Sequence, residues 1–280
     1  MKKILFVLVC SVALVGCKKN NKIPELSTIP VVYNTSTYSY ESGGVINSPG
    51  GSGVTIRGVC WSTSPNPTIA NDTTINGSGT GTFSSTITGL QPIGTYYVRA
   101  YATNINGTAY GDEISFIAIG SSYQGGIVFY LDGNGGGLIA APSDQSTGAE
   151  WGCDGTDITG ADGTTIGTGY QNTIDIVNAN CSPNTSGNSI AANLCANLTL
   201  GGYSDWFLPS IGELNLMYTN IGQGNVLGLG NLGGFANNNS YYWSSSESGN
   251  DDAWKQNFTG GNSNDYYKSD TYNVRAVRAF

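Results

Sequence analysis

The stretch 201–218, Gly-Gly-Tyr-Ser-Asp-Trp-Phe-Leu-Pro-Ser-Ile-Gly-Glu-Leu-Asn-Leu-Met-Tyr, decides how the second half of this chain folds. Gly201 and Gly202 open it with a turn. Tyr203, Trp206, Phe207 and Leu208 then gather apolar bulk. Pro209 ends the extended segment, and Ser210 is a good N-cap with Glu213 three residues later, the spacing of a capping box. Leu208 or Pro209 can staple onto Leu214, and Leu214, Met217 and Tyr218 share one helical face. The pattern predicts an extended segment, a sharp corner and a short capped helix.

Composition sets the frame around that corner. Only 11% of the 280 residues are charged, against about 25% in typical soluble domains, while Gly reaches 41 and Tyr 17. Gly and Asn serve turns, and Tyr, Val and Thr serve strands, so the chain reads as β-rich and extracellular. There is no His, which removes His-dependent triads and most zinc enzymes. From residue 119 onward four Lys/Arg face fourteen Asp/Glu, a net charge of −10, whereas residues 17–118 carry five of each. An acidic second half argues against nucleic acid and sulfated glycans as partners, and suits neutral sugars, cationic surfaces or Ca²⁺.

The chain starts with basic Lys2 and Lys3 and a 12-residue apolar run, Ile4 to Val15, too short to span a membrane. Leu14-Val15-Gly16-Cys17 resembles the bacterial lipobox. That resemblance implies a signal peptide over 1–16, lipidation at Cys17, a tether over 17–27 and an outer-membrane anchor facing the cell surface. Lipid anchors a chain without spanning the bilayer.

Residues 28–118 show strand candidates at 54–61, 81–87, 95–102 and 109–116, separated by turn residues, which predicts an all-β sandwich. Gly89-Leu90-Gln91-Pro92, the run from Gly94 to Asn104, and Gly107-Thr108-Ala109-Tyr110-Gly111 resemble bacterial fibronectin type III repeats. The resemblance implies core roles for Leu90 and Tyr96, a buried unpaired Cys60, and a spacer function.

Residues 119–122 form a linker to a second domain, 123–280. It opens with a hairpin, 126–131 returning through 138–142 across a Gly-rich turn that lacks the Lys-Ser/Thr of a phosphate loop. Helices are expected over 168–180 and 189–200, and a long irregular loop over 219–240, so the domain is α+β. Tyr203-x-Asp205-Trp206-x-Leu208-Pro209-Ser210-x-x-Glu213-Leu214 is similar to the signature of the DUF1566 domain, found at the C-terminus of the Legionella collagen-like adhesin. Tyr242-Trp243-Ser244-Ser245-Ser246, Ala253-Trp254 and Val274-Arg275-Ala276-Val277-Arg278 continue the pattern. This resemblance implies a C-type-lectin-like fold and polysaccharide binding. It makes Trp206, Pro209, Ser210, Glu213, Arg275 and Arg278 structural signature positions. Arg275 and Arg278, three apart on a terminal strand read from Tyr272 to Phe280, point to opposite faces, and one of them is expected to pair with a buried carboxylate such as Glu213 or Asp205.

The candidate ligand-binding residues are Tyr242, Trp243, Glu247, Asp251, Asp252, Trp254, Tyr266 and Tyr267, the last two beside Asp265 and Asp270. Aromatic faces stack on sugar C–H surfaces, and carboxylates accept hydroxyl hydrogen bonds or hold Ca²⁺, for which Asp251 and Asp252 are the candidates. The lectin triplets Glu-Pro-Asn and Trp-Asn-Asp are missing. Cysteine usage in an oxidising compartment predicts a Cys153–Cys181 disulfide, because Cys195 shares a helical face with Ala191, Leu194 and Leu198; Cys181–Cys195 is the rival. The expected function is non-enzymatic: a surface lipoprotein that binds glycan or a host or matrix surface. The alternatives are a structural or assembly component of the envelope with a protein partner, and an oxidase like the formylglycine-generating enzymes, which needs a reactive cysteine pair. The sequence predicts no oligomeric state.

Overall fold

The computed structural model describes residues 21–183 and 189–280; the leader and Cys17 lie outside the described residues. The first eight strands are β1 (Glu25–Asn34), β2 (Ser39–Ser48), β3 (Ile56–Ser62), β4 (Asp72–Thr73), β5 (Gly81–Ile87), β6 (Thr95–Asn104), β7 (Gly107–Tyr110) and β8 (Ile114–Ile117). They form one sheet of order β1-β2-β5 and another of order β4-β3-β6-β7, with β8 also pairing β6. β6 is the central strand. Its Tyr96, Val98, Ala100 and Ala102 point inward and are buried, as period-2 alternation requires. The sheets approach closely at Gly44, where a Cβ would lie 2.7 Å from the Ala100 Cβ.

Strand structure begins at Glu25, inside the stretch read as tether, and Leu26 pairs with Ile46 of β2. Neither β1 nor β2 was expected. Pro30 falls within a register shift between Ile29 and Val32, and Gly43-Gly44 interrupts β2, so neither strand alternates cleanly. Cys60 is buried and free, Tyr96 is buried, and Leu90 packs against the core.

The second half contains β9 (Ser122–Tyr123), β10 (Gly126–Leu131), β11 (Gly137–Ala140), β12 (Ser146–Glu150), α1 (Gly169–Asn178), α2 (Ala191–Ala196), α3 (Ile211–Ile221), β13 (Tyr241–Glu247), β14 (Asp252–Asn257), β15 (Ser263–Tyr267), β16 (Thr271–Val274) and β17 (Val277–Ala279). The expected hairpin is β10–β11, its turn held by Asp132 Oδ1, which accepts from Asn134 N at 2.7 Å and Gly136 N at 3.0 Å. Two sheets result, β17-β11-β10-β9 and β12-β16-β13-β14-β15. The terminal segment read as one strand is split at Arg275-Ala276 and serves both sheets. α2 is shorter than expected, and its N-cap residue, Ile190, makes no side-chain cap. Asn172 and Thr173 are buried within α1, and Thr168 is its N-cap residue.

The corner at 201–218 forms as read. Ser210 Oγ accepts from Glu213 N at 3.3 Å, and the Glu213 carboxylate accepts from Ser210 N at 2.8 Å. Residues 119–121 of the segment read as a linker are buried against both halves: the Ile119 N–H donates to Tyr40 Oη at 2.6 Å, and a Cβ on Gly120 would meet Leu232 Cδ1 at 2.4 Å.

Candidate functional site

The eight candidate ligand-binding residues do not form one surface. Tyr242, Trp243 and Glu247 lie on β13, the middle strand of its sheet, and all three are buried. Tyr242 Oη accepts from Ala236 N at 2.9 Å and donates to Asp144 at 3.0 Å. Trp243 Nε1 donates to Ala149 O at 2.9 Å. Glu247 accepts from Ile158 N at 2.9 Å and pairs with Lys268 Nζ at 2.5 Å. These are core groups: β14 and β16 flank β13, and α1 and α3 pack on it, leaving no room for a ligand.

The other five lie at the surface around β14 and β15. Tyr266 is 41% exposed and Tyr267 58% exposed; Asp251 is exposed, and Asp252 and Trp254 are half-buried. Asp252 opens β14, and the Ser248 and Gly249 N–H groups of the preceding turn donate to its carbonyl at 3.0 and 3.1 Å. No three Asp, Glu, Cys or His side chains converge among the described residues, so Asp251 and Asp252 stand as two carboxylates rather than a gathered set.

Between this surface and the core is a feature that sequence reasoning missed. Lys255 of β14 is buried with its Nζ 4.1, 4.0 and 3.9 Å from the ring centroids of Tyr241, Tyr266 and Tyr272. Register explains the convergence: Trp243 pairs with Lys255, and Ala253 with Tyr266, so the lysine and the Tyr266 ring share a sheet face. Lys255 Nζ donates to Tyr272 Oη at 2.6 Å, and Tyr272 donates on to Asp270 at 3.3 Å. Burial lowers the pKa of Lys255, opposed by Asp270, and burial followed by Asp270 raises that of Tyr272. The cage holds a cation of this chain itself, and it fixes one face of Tyr266.

The signature residues are structural. Trp206 Nε1 donates to Leu200 O at 3.3 Å, and Pro209 O accepts from Ser245 N at 2.8 Å. Arg278 pairs with Asp205, as the sequence suggested, and lies 3.7 Å from the Tyr203 ring centroid. Arg275 pairs with Asp144 at 2.6 Å, and its guanidinium covers the Phe235 ring at 4.4 Å. Glu213 takes neither arginine. Phe235 belongs to the irregular segment after α3, which is therefore partly core. All four Lys and Arg of residues 119–280 are thus buried, and the charged side chains this half exposes are all carboxylates.

The Cys153–Cys181 disulfide is present. Cys195 is free and buried, and burial pushes its thiol pKa up. A reactive pair of the oxidase type would need a second thiol beside it, and the other two cysteines of this half are joined to each other.

No curated protein matches this chain. A solved fimbrial protein from Bacteroides ovatus ATCC 8483 is similar at 10% identity, over 91% of this chain and 70% of that one, with a TM-score of 0.39. Residues 141–278 match the Lcl C-terminal domain family.

Proposed function

We propose that this is a surface-anchored, non-enzymatic protein whose Lcl C-terminal domain binds a glycan or a host or matrix surface. The observation that carries the reading is the β14–β15 surface, where Tyr266, Tyr267 and Trp254 stand among carboxylates with no exposed cation. Aromatic faces with hydrogen-bond acceptors beside them are what sugar rings need, and Tyr is an economical anchor at protein surfaces as well. The β-sandwich serves as spacer, and lipid on Cys17 ties the chain to the outer membrane. Ca²⁺ at Asp251 and Asp252 would complete its shell with backbone and ligand oxygens.

The test is a screen of the chain from residue 18 onward on arrayed glycans and immobilised matrix proteins, with Ca²⁺ and with chelator. Binding that is weakened by Tyr267→Ala supports the site, and its loss in chelator adds the cation. Binding indifferent to Tyr267→Ala moves the site elsewhere, and no binding to any surface defeats the reading.

A further inference from the structure

β15 is the outermost strand of its five-stranded sheet, and all five of its residues are exposed. Asn257 N donates to Asn262 O and Lys268 N to Asp251 O, each at 2.8 Å, on either side of the β14–β15 ladder. Alternation along an antiparallel pair then turns Asn264 and Tyr266 toward β14 and turns the backbone of Ser263, Asp265 and Tyr267 outward. Among the described residues those three outward N–H groups have no partner, and the strand has neither the lysine nor the proline that usually blunts an edge.

We propose that β15 is a docking edge for an extended, Lys/Arg-rich segment of a protein partner, which adds as a sixth strand. The inference rests on the reading that this surface binds, and it names the partner class. Backbone groups give such pairing its affinity, and side chains at alternate positions give its specificity. The side chains around the edge select for positive charge: Asp251, Asp252 and Asp265 are acidic, and the exposed Tyr267 ring offers a face to a cation. A second copy is the poorer occupant, because antiparallel pairing of β15 with itself sets carboxylate against carboxylate.

The test is fluorescence anisotropy on the chain from residue 18, using a short peptide that alternates lysine with valine and its glutamate–valine counterpart. The lysine peptide is expected to bind, more weakly as salt rises, and the glutamate peptide is not. Asp265→Pro removes an outward N–H without touching the ladder, so it should weaken binding by about tenfold or more, whereas Asp265→Asn keeps the edge and should cost less. Hydrogen exchange of the unaltered chain decides the matter even if the proline variant fails to fold: the peptide should slow the amides of Ser263, Asp265 and Tyr267. Equal binding of both peptides, no binding of either, protection elsewhere, or a dimer that Asp265→Pro dissociates would each overturn the proposal. A chain that binds arrayed glycans but not the lysine peptide overturns this inference while sparing the broader one.

Discussion

Ser210 does two jobs with one hydroxyl. It accepts from Glu213 N in the capping box and donates to Thr165 O at 2.8 Å, tying α3 to the loop before α1. Ser210→Ala should lower stability by about 1–2 kcal/mol, read as a lower denaturant midpoint at unchanged slope. Glu213 is the companion case. Burial raises its pKa, against the lowering by the Ser210 and Gly167 N–H groups. A carboxyl whose folded pKa lies above its unfolded one stabilises the fold at low pH. That contribution is lost as pH rises from the ordinary value of 4.5 through the folded value. Stability of Glu213→Gln relative to the unaltered chain should therefore improve with pH across that window, and a constant difference would contradict the assignment. The serine and glutamate were legible because a capping box is local. The Asp144–Arg275 pair spans 131 residues, and nothing at either end announces the other.

At the scale of elements, β13 and β14 show why aromatic content misleads. Tyr242, Trp243 and Trp254 look alike in sequence, but the first two sit on a strand covered on both edges and the third near the open edge. The Lys255 cage draws its tyrosines from β13, β15 and β16, so only the register reveals it. Tyr272→Phe removes the 2.6 Å bond to a buried ammonium and should cost about 1.5–3 kcal/mol in thermal or denaturant unfolding. An unaffected variant would mean that the rings alone hold the cation. Lys268→Met should cost about 3–5 kcal/mol by stranding the Glu247 carboxylate, with much of that recovered in the Lys268→Met, Glu247→Leu pair. The disulfide closes a 28-residue separation, so replacing Cys153 and Cys181 with Ser should cost about 3–4 kcal/mol, absent under reducing conditions. Its pairing was legible because Cys195 fell on the apolar face of a helical pattern.

At the scale of the molecule, charge and connection matter most. The acidic balance of the second half could be counted from the sequence, but burial of every Lys and Arg it contains could not, because cations ordinarily sit outside. The junction was misread for a related reason: short and polar in part, Ile119-Gly120-Ser121-Ser122 resembles a free linker until Tyr40 and Leu232 are seen against it. Gly120 has φ +85°, and Gly120→Val should pry the halves apart, which small-angle scattering would report as a larger radius of gyration. Unchanged dimensions would show that the junction does not depend on that contact.

As proposed above, the chain recognises its partner through the β14–β15 surface. Hydrogen-exchange mass spectrometry of the chain, with and without the binder that the surface screen selects, tests it most directly. Slowed exchange confined to residues 248–267 is the expected result. Slowed exchange in the β-sandwich or along the segment after α3, with 248–267 unchanged, would contradict it.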